Sequence, residues 1–153
     1  MQKVIGIDPG LKGAAIFLDQ DGHIRDTELM TTFAESPASF FEFLSRNKPA
    51  HVFLEKAQSM PKQGVTSMFS YGQGFGRIMG WLDSTLVPYT LISPIVWTKV
   101  MHRGCDGHDA KAKSKQAAQR LFPHEDFVAD GCRTMHMGLV DAALIAKFGQ
   151  KGL

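Results

Sequence analysis

The run Val4-Ile5-Gly6-Ile7-Asp8-Pro9-Gly10 constrains this chain more than any other stretch. Continuous apolar residues ending in a Pro-Gly break suit a short strand covered on both faces, so a buried strand is expected over 4–8. Such a strand delivers Asp8 at its C-terminal end, where open α/β sheets place their chemistry. An ionised carboxylate there needs a cation or a cluster of hydrogen-bond donors. Taken alone, Asp8 reads equally well as a turn residue before Pro9-Gly10. A second instance of the pattern weighs against the turn: His51 to Glu55 is again a short apolar strand with an acid at its exit.

The segments around these two strands follow from local signals. Gly13–Leu18 and Ile24–Met30 read as strands joined across an Asp21-Gly22 turn, which makes an antiparallel meander with the first strand. Ser36-Pro37 opens a helix, with Ser36 as N-cap and Pro37 in the first position. Phe40, Phe41, Phe43 and Leu44 supply its apolar side. After the polar Lys56–Gly64 loop, which holds Pro61 and Lys62, a long helical pattern runs through Val65, Met68, Phe69, Phe75, Met79, Leu82 and Leu86. Gly72, Gly76 and Gly80 fall four apart within it, each costing roughly 1 kcal/mol relative to alanine. A stripe of three implies a close neighbour: a tight helix crossing first, with a second copy or a nucleic-acid strand as alternatives. Tyr89–Ile92 reads as a further strand, and Ser93-Pro94 opens a short helix through Trp97 and Val100.

His102–Ala110 reads as a surface loop whose histidines, cysteine and aspartates match no zinc or calcium spacing. Lys111, Lys113 and Lys115 then head a helix to about Phe122. They suit either a solvated face or a grip on a phosphate backbone. The last helix, from near Gly138, is apolar almost all round, as expected of a buried helix. Asp141 lies in its middle between Val140 and Ala142, with no obvious buried arginine to pair it.

Length and composition bound the rest. A chain of 153 residues with 44% hydrophobic content is expected to form one domain over 1–153 with a real core. A net charge of +2 names no partner by itself. Cys105 and Cys132 form no disulfide framework and read as free thiols of a cytosolic protein. The start shows no cleavable signal pattern, and no apolar run approaches the roughly 20 residues that span a bilayer. A cytoplasmic protein is the expectation.

If Asp8, Glu55 and Asp141 converge, they make an oxygen-rich site suited to Mg²⁺, with Mn²⁺ as the alternative. Crowded carboxylates repel one another without a metal. Two ions about 3.5–4 Å apart serve phosphodiester hydrolysis, one activating water and the other stabilising the leaving oxygen.

The residues that carry these features also match a family. The matching pieces are Ile5-Gly6-Ile7-Asp8-Pro9-Gly10, Leu54-Glu55-Lys56 and Met60-Pro61-Lys62-Gln63-Gly64-Val65, followed by Phe69-Ser70-Tyr71-Gly72. Pro94 with Trp97 and Lys99, Lys111 to Leu121, and Val140-Asp141-Ala142-Ala143-Leu144-Ile145-Ala146 complete the series. In this order, over nearly the whole chain, they resemble the RuvC-like Holliday junction resolvases of the ribonuclease H-like (retroviral integrase) superfamily. The resemblance implies an α/β fold with a five-stranded mixed sheet flanked by helices. It also implies a homodimer that places two Mg²⁺-dependent sites on a four-way DNA junction.

Carried over, the resemblance makes Asp8, Glu55 and Asp141 catalytic metal ligands. The family's fourth position, three residues before Asp141, holds Gly138 here. Either the site uses three acids or His136 substitutes, as ligand or as acid, provided the last helix begins after it; a capping or surface histidine is the alternative, and substitution by His136 is preferred. Lys62 and the Lys111, Lys113 and Lys115 helix start are expected to face DNA. Of two aromatics placed to stack on junction bases, Phe69 fits the core stripe and Tyr71 falls off it, so Tyr71 is preferred. The function implied is a structure-selective endonuclease for branched DNA. A ribonuclease H-like nuclease on RNA–DNA hybrids and a non-catalytic junction-binding protein are the alternatives. An actin-like phosphotransferase is disfavoured by the short chain.

Overall fold

The computed structural model describes residues 1–58 and 62–152. Met60 and Pro61 of the Met-Pro-Lys-Gln-Gly stretch therefore lie outside the described residues, as does Leu153. Five strands, β1 (Val4–Asp8), β2 (Ala14–Leu18), β3 (Ile24–Leu29), β4 (His51–Glu55) and β5 (Tyr89–Ile92), form one sheet in the order β3-β2-β1-β4-β5. The first three make the antiparallel meander, while β4 runs parallel to β1 and β5 parallel to β4. The helices are α1 (Met30–Glu35), α2 (Pro37–Asn47), α3 (Val65–Asp83), α4 (Pro94–Met101), α5 (Ala110–Leu121) and α6 (Met137–Gly152).

Alternation along β1 divides the molecule into two cores. Ile5 and Ile7 point to one face, against Phe33, Phe40, Phe43, Ile78 and Leu82 of α1, α2 and α3. Val4 points to the other, where α4, α5 and α6 pack. This period of two is what a strand buried on both sides requires.

Gly6 sets the approach of α6. A Cβ there would overlap the backbone of Ala142 and Ala146, so α6 rests directly on the β1 backbone. Farther along α6, Gly149 clears the Phe53 ring of β4 in the same way. The last helix is therefore locked in height over the central strands.

Several local expectations change. The third strand stops at Leu29, and Met30 opens the short helix α1, because Met30 and Phe33, three apart, are drawn together into the core. Ser36 stands at the N-cap of α2 but its hydroxyl makes no cap bond; Ser39 instead donates to the Ser36 carbonyl at 2.6 Å. Leu86 falls outside α3 and is exposed. Asp109 caps α5 by accepting from the Ala112 N–H at 2.8 Å, so the His102–Ala110 loop ends in a helix start.

Among the described residues the glycine stripe of α3 meets no tight helix crossing, and nothing lies within 4 Å of a Cβ built at Gly72, Gly76 or Gly80. Ile78 and Leu82 face the core from another side of the helix, which leaves the glycines outward beside Val65, 85% exposed, and Phe69, 67% exposed.

Candidate active site

Asp8 and Glu55 leave adjacent parallel strands whose register pairs Ile7 with Leu54, so the two acids emerge side by side. The seat of α6 on Gly6 brings Asp141, one residue before the contacting Ala142, over the same strand ends. All three are half-buried.

Each carboxyl has a different environment. Asp8 Oδ1 accepts from the Gly10 N–H at 3.1 Å. Glu55 Oε2 accepts from the Trp97 indole N–H at 2.6 Å. Asp141 Oδ1 is buried and has no partner among the described residues.

Burial, with the Asp8 and Asp141 charges behind it, pushes the Glu55 carboxyl up to about 7 against the pull of the Trp97 hydrogen bond. Burial and the Asp8 charge push Asp141 up to about 7 as well, opposed by the Ser114 hydroxyl and by Lys111. Asp8 itself is raised by burial, with the Gly10 N–H and His136 opposing. Three acids that resist ionisation chiefly through burial, with the Asp8 charge adding to Glu55 and Asp141, form one electrostatic unit.

The unit is wider than a single-ion cage. Among the described residues, only Asp19, Asp21 and His23 bring three ligand atoms within 4.8 Å of one another. That trio sits in the β2–β3 turn, and Asp19 is already saturated. Its Oδ1 accepts from the N–H groups of Asp21 and His23 at 2.9 Å each, and its Oδ2 accepts from Arg25 Nε at 2.6 Å. Burial would raise Asp19, but the His23 N–H, Arg25 and the Asp21 N–H together bring it down to about 2.

The fourth corner is closed by backbone. Gly13 and Gly138 form an isolated bridge, and a Cβ at Gly138 would overlap the Lys12 carbonyl and stand 2.7 Å from Gly13 Cα. No acid fits there. The helix does begin at Met137, so His136 stands just before it. His136 acts as the cap: its carbonyl accepts from the Val140 N–H at 3.1 Å, and its Nδ1 accepts from the Leu139 N–H at 3.3 Å. With Nδ1 occupied as an acceptor, the neutral ring carries its proton on Nε2.

The two aromatics exchange places relative to expectation. Phe69 points outward instead of joining the core. Tyr71 is half-buried, with its Cε2 3.8 Å from a Cβ position at Gly10. Burial, then the Glu55 and Asp8 charges, drive its hydroxyl pKa up. Tyr71 thus borders the acids. A groove of about 610 Å³ runs from here between α3 and the β1–β2 turn, lined by Lys12, Tyr71, Arg77 and Trp81 among others.

Of the expected DNA-facing lysines, Lys62, Lys111 and Lys115 are exposed, and Lys62 occupies a left-handed turn at φ 69°. Lys111 is close enough to Asp141 to lower its carboxyl. Lys113 is half-buried and faces His102, whose imidazole is held down by burial and then by that lysine.

Sequence reasoning gave no role to Ser114 or His102 and used Trp97 only as part of the family pattern. Ser114 is a polar residue on the apolar side of α5 with Ala117 and Ala118, a weak signal that it meets something polar.

No protein-family model matches the chain, and no curated protein matches it. Solved structures do. RuvC of Thermus thermophilus in complex with a Holliday junction substrate is 20% identical, with 99% of this chain and 97% of that one covered and a TM-score of 0.67. The yeast mitochondrial Holliday junction resolvase Ydc2 is 16% identical over 98% of this chain and 78% of its own, at a TM-score of 0.61. The fowlpox virus resolvase, in complex with Holliday junction DNA, is 16% identical over 98% and 97%, at 0.56.

Proposed function

We propose that this chain, which carries the ribonuclease H-like fold of the Holliday junction resolvases, is a metal-dependent endonuclease that hydrolyses phosphodiesters in four-way or branched DNA. One observation carries the reading: three carboxyls meet at one sheet end, each driven up by burial and coupled to the others, with Asp141 Oδ1 left unpartnered. An all-oxygen donor set of this charge fits Mg²⁺ or Mn²⁺, and its width suits two ions. Asp8, Glu55 and Asp141 would hold them. When bound, the metal supplies an activated water and stabilises the leaving oxygen.

The chain's own groups do the rest. Asp8, on the central strand and coupled to both other acids, would hold the metal together with them. His136 is assigned to the fourth position, where ligation through Nε2 and proton donation as the imidazolium both place a proton on Nδ1 and release the helix cap. Tyr71 shields the acids on the side of the groove. Lys62, Lys111, Lys113 and Lys115 are assigned to phosphates, which position DNA without reading sequence. Phe69, exposed on α3, replaces Tyr71 as the residue to stack on bases at the junction centre.

A homodimer suits the open stripe of Gly72, Gly76 and Gly80, which the protomer leaves uncovered. Among the described residues no helix is long and apolar enough to cross a membrane.

The test uses labelled four-way junction, Y-fork and RNA–DNA hybrid, with and without Mg²⁺. Cleavage of the junction that needs Mg²⁺ and disappears in Asp8→Asn supports the reading. Preference for the hybrid transfers the same acids to ribonuclease H chemistry. Binding without cleavage under every metal condition leaves a non-catalytic junction-binding protein.

A further inference from the structure

The three acids do not stand alone at the sheet end, because two of them are held from behind. Trp97, only 3% exposed on α4, is packed in the core with Met101, Ala117 and Ala143. Its indole has two side-chain torsions, and the core holds the ring, so the direction of its N–H is settled by packing. That N–H donates to Glu55 Oε2 at 2.6 Å. Glu55 is a long side chain at a strand exit, and this bond removes the freedom that would let its carboxylate swing into solvent.

The same support reaches Asp141. The Trp97 ring meets the His102 imidazole edge-on, with centroids 5.8 Å apart at 82°. His102 Nε2 lies 3.0 Å from Ser114 Oγ, and Ser114 is 4% exposed on the α5 face turned toward α6. When Nε2 donates to Oγ, the serine hydroxyl proton is free to point at Asp141. Ser114 is the hydroxyl that opposes the rise of the Asp141 carboxyl, so the His102–Ser114 contact stands behind that acid. Glu55 comes from the sheet and Asp141 from α6, yet both lean on one connected group carried by α4 and α5.

We propose that Trp97 and Ser114, linked through His102, are positioning residues that hold Glu55 and Asp141 at the separation divalent ions need. The proposal rests on the metal-dependent reading above and adds that the ligand geometry is set before any ion arrives. Groups behind metal ligands fix their orientation, and losing one characteristically weakens metal binding by about 10–100-fold.

Trp97→Phe isolates the N–H, because phenylalanine keeps an aromatic ring in the core and facing His102. Mn²⁺ affinity is read from the free-ion signal in electron paramagnetic resonance, with thermal unfolding of the metal-free protein alongside. The expected result is affinity lowered at least about tenfold, with an unfolding midpoint within a few degrees of the parent. Ser114→Ala should weaken Mn²⁺ binding too, and the double variant should lose less than the product of the single losses. Unchanged Mn²⁺ affinity in Trp97→Phe overturns the proposal, and strictly multiplicative losses overturn the link through His102.

Should Trp97→Phe fail to fold, Trp81→Phe leaves Trp97 as the only tryptophan. Its emission should then shift when Mg²⁺ is added, and a spectrum blind to Mg²⁺ counts against the brace. A parent protein that takes up no Mn²⁺ overturns the metal-dependent reading and the brace together. A parent that binds Mn²⁺ while Trp97→Phe binds equally well overturns the brace alone.

Discussion

Two clusters of metal-type ligands occupy opposite conditions in this molecule. Asp19, Asp21 and His23 stand within 4.8 Å of one another, the tighter grouping. Asp8, Glu55 and Asp141 are more widely spread. Asp19 is already satisfied by two backbone N–H groups and Arg25, and its carboxyl is pulled down to about 2. Glu55 and Asp141 are pushed up to about 7, and one Asp141 oxygen has no partner among the described residues. Proximity of ligand atoms therefore does not identify a cation site. Uncompensated charge does, because a cation is stabilised where carboxylates lack other donors. The turn cluster staples a hairpin, whereas the sheet-end cluster is the one the proposed function assigns to an ion.

The largest effect that separates the clusters is on catalysis. Asp8→Asn should lower junction cleavage by at least about a thousandfold, ~4 kcal/mol in the barrier. Asp19→Asn should leave it within about twofold. A gel assay on one labelled junction reads both, and equal losses would erase the distinction.

Mg²⁺ gives the next contrast. At a hundred times its dissociation constant, bound metal stabilises the fold by about 2.7 kcal/mol, or roughly 5–10 °C in unfolding midpoint for a chain of this size. EDTA should reverse that rise. Asp141→Asn should shrink it, and Asp19→Asn should preserve it.

The pH dependence of the metal-free protein differs in sign between the clusters. Glu55 and Asp141 have folded values near 7, above their reference values of 4.5 and 3.8. Their contribution is fully present below about pH 4 and is lost as pH rises through 7, so the unfolding midpoint should fall from pH 5 to pH 8. Asp19, lowered from 3.8 to about 2, contributes above pH 4 and loses that contribution as pH falls through 2. Saturating Mg²⁺ should flatten the first trend. A metal-free midpoint that rises between pH 5 and 8 would mean that the three acids are not mutually strained.

The smallest effect belongs to the staple. Asp19→Asn weakens a partly exposed ion pair with Arg25 but leaves an oxygen to accept from the turn, so about 1 kcal/mol is expected. Chemical denaturation resolves that difference.

Much of the frame was legible because it depends on short-range pattern. Val4–Asp8, His51–Glu55 and Tyr89–Ile92 form strands at the expected bounds, and Pro37 and Pro94 open helices as expected. Met30 was misplaced because Thr31 and Thr32 favour strands locally, while burial of Met30 with Phe33 wins in the folded chain. Phe69 and Tyr71 were interchanged for a related reason. Periodicity marks an apolar stripe on α3 but not which side of the helix meets the sheet. The glycines belong to the outward side, so their spacing carried no information about a crossing within the chain.

Sequence by itself determined the two acid-ended strands, the buried helix that carries Asp141, and the antiparallel meander. Each follows from residues within a few positions of one another. Tertiary structure decided the rest of the site. Gly6 lets α6 down onto β1, and Gly138 is held small by Gly13, more than a hundred residues earlier. Trp97 and Ser114 come from helices that have no local reason to face a carboxylate. Convergence of this kind depends on how close two backbones can approach. That distance is set by packing between distant segments, and no local pattern encodes it.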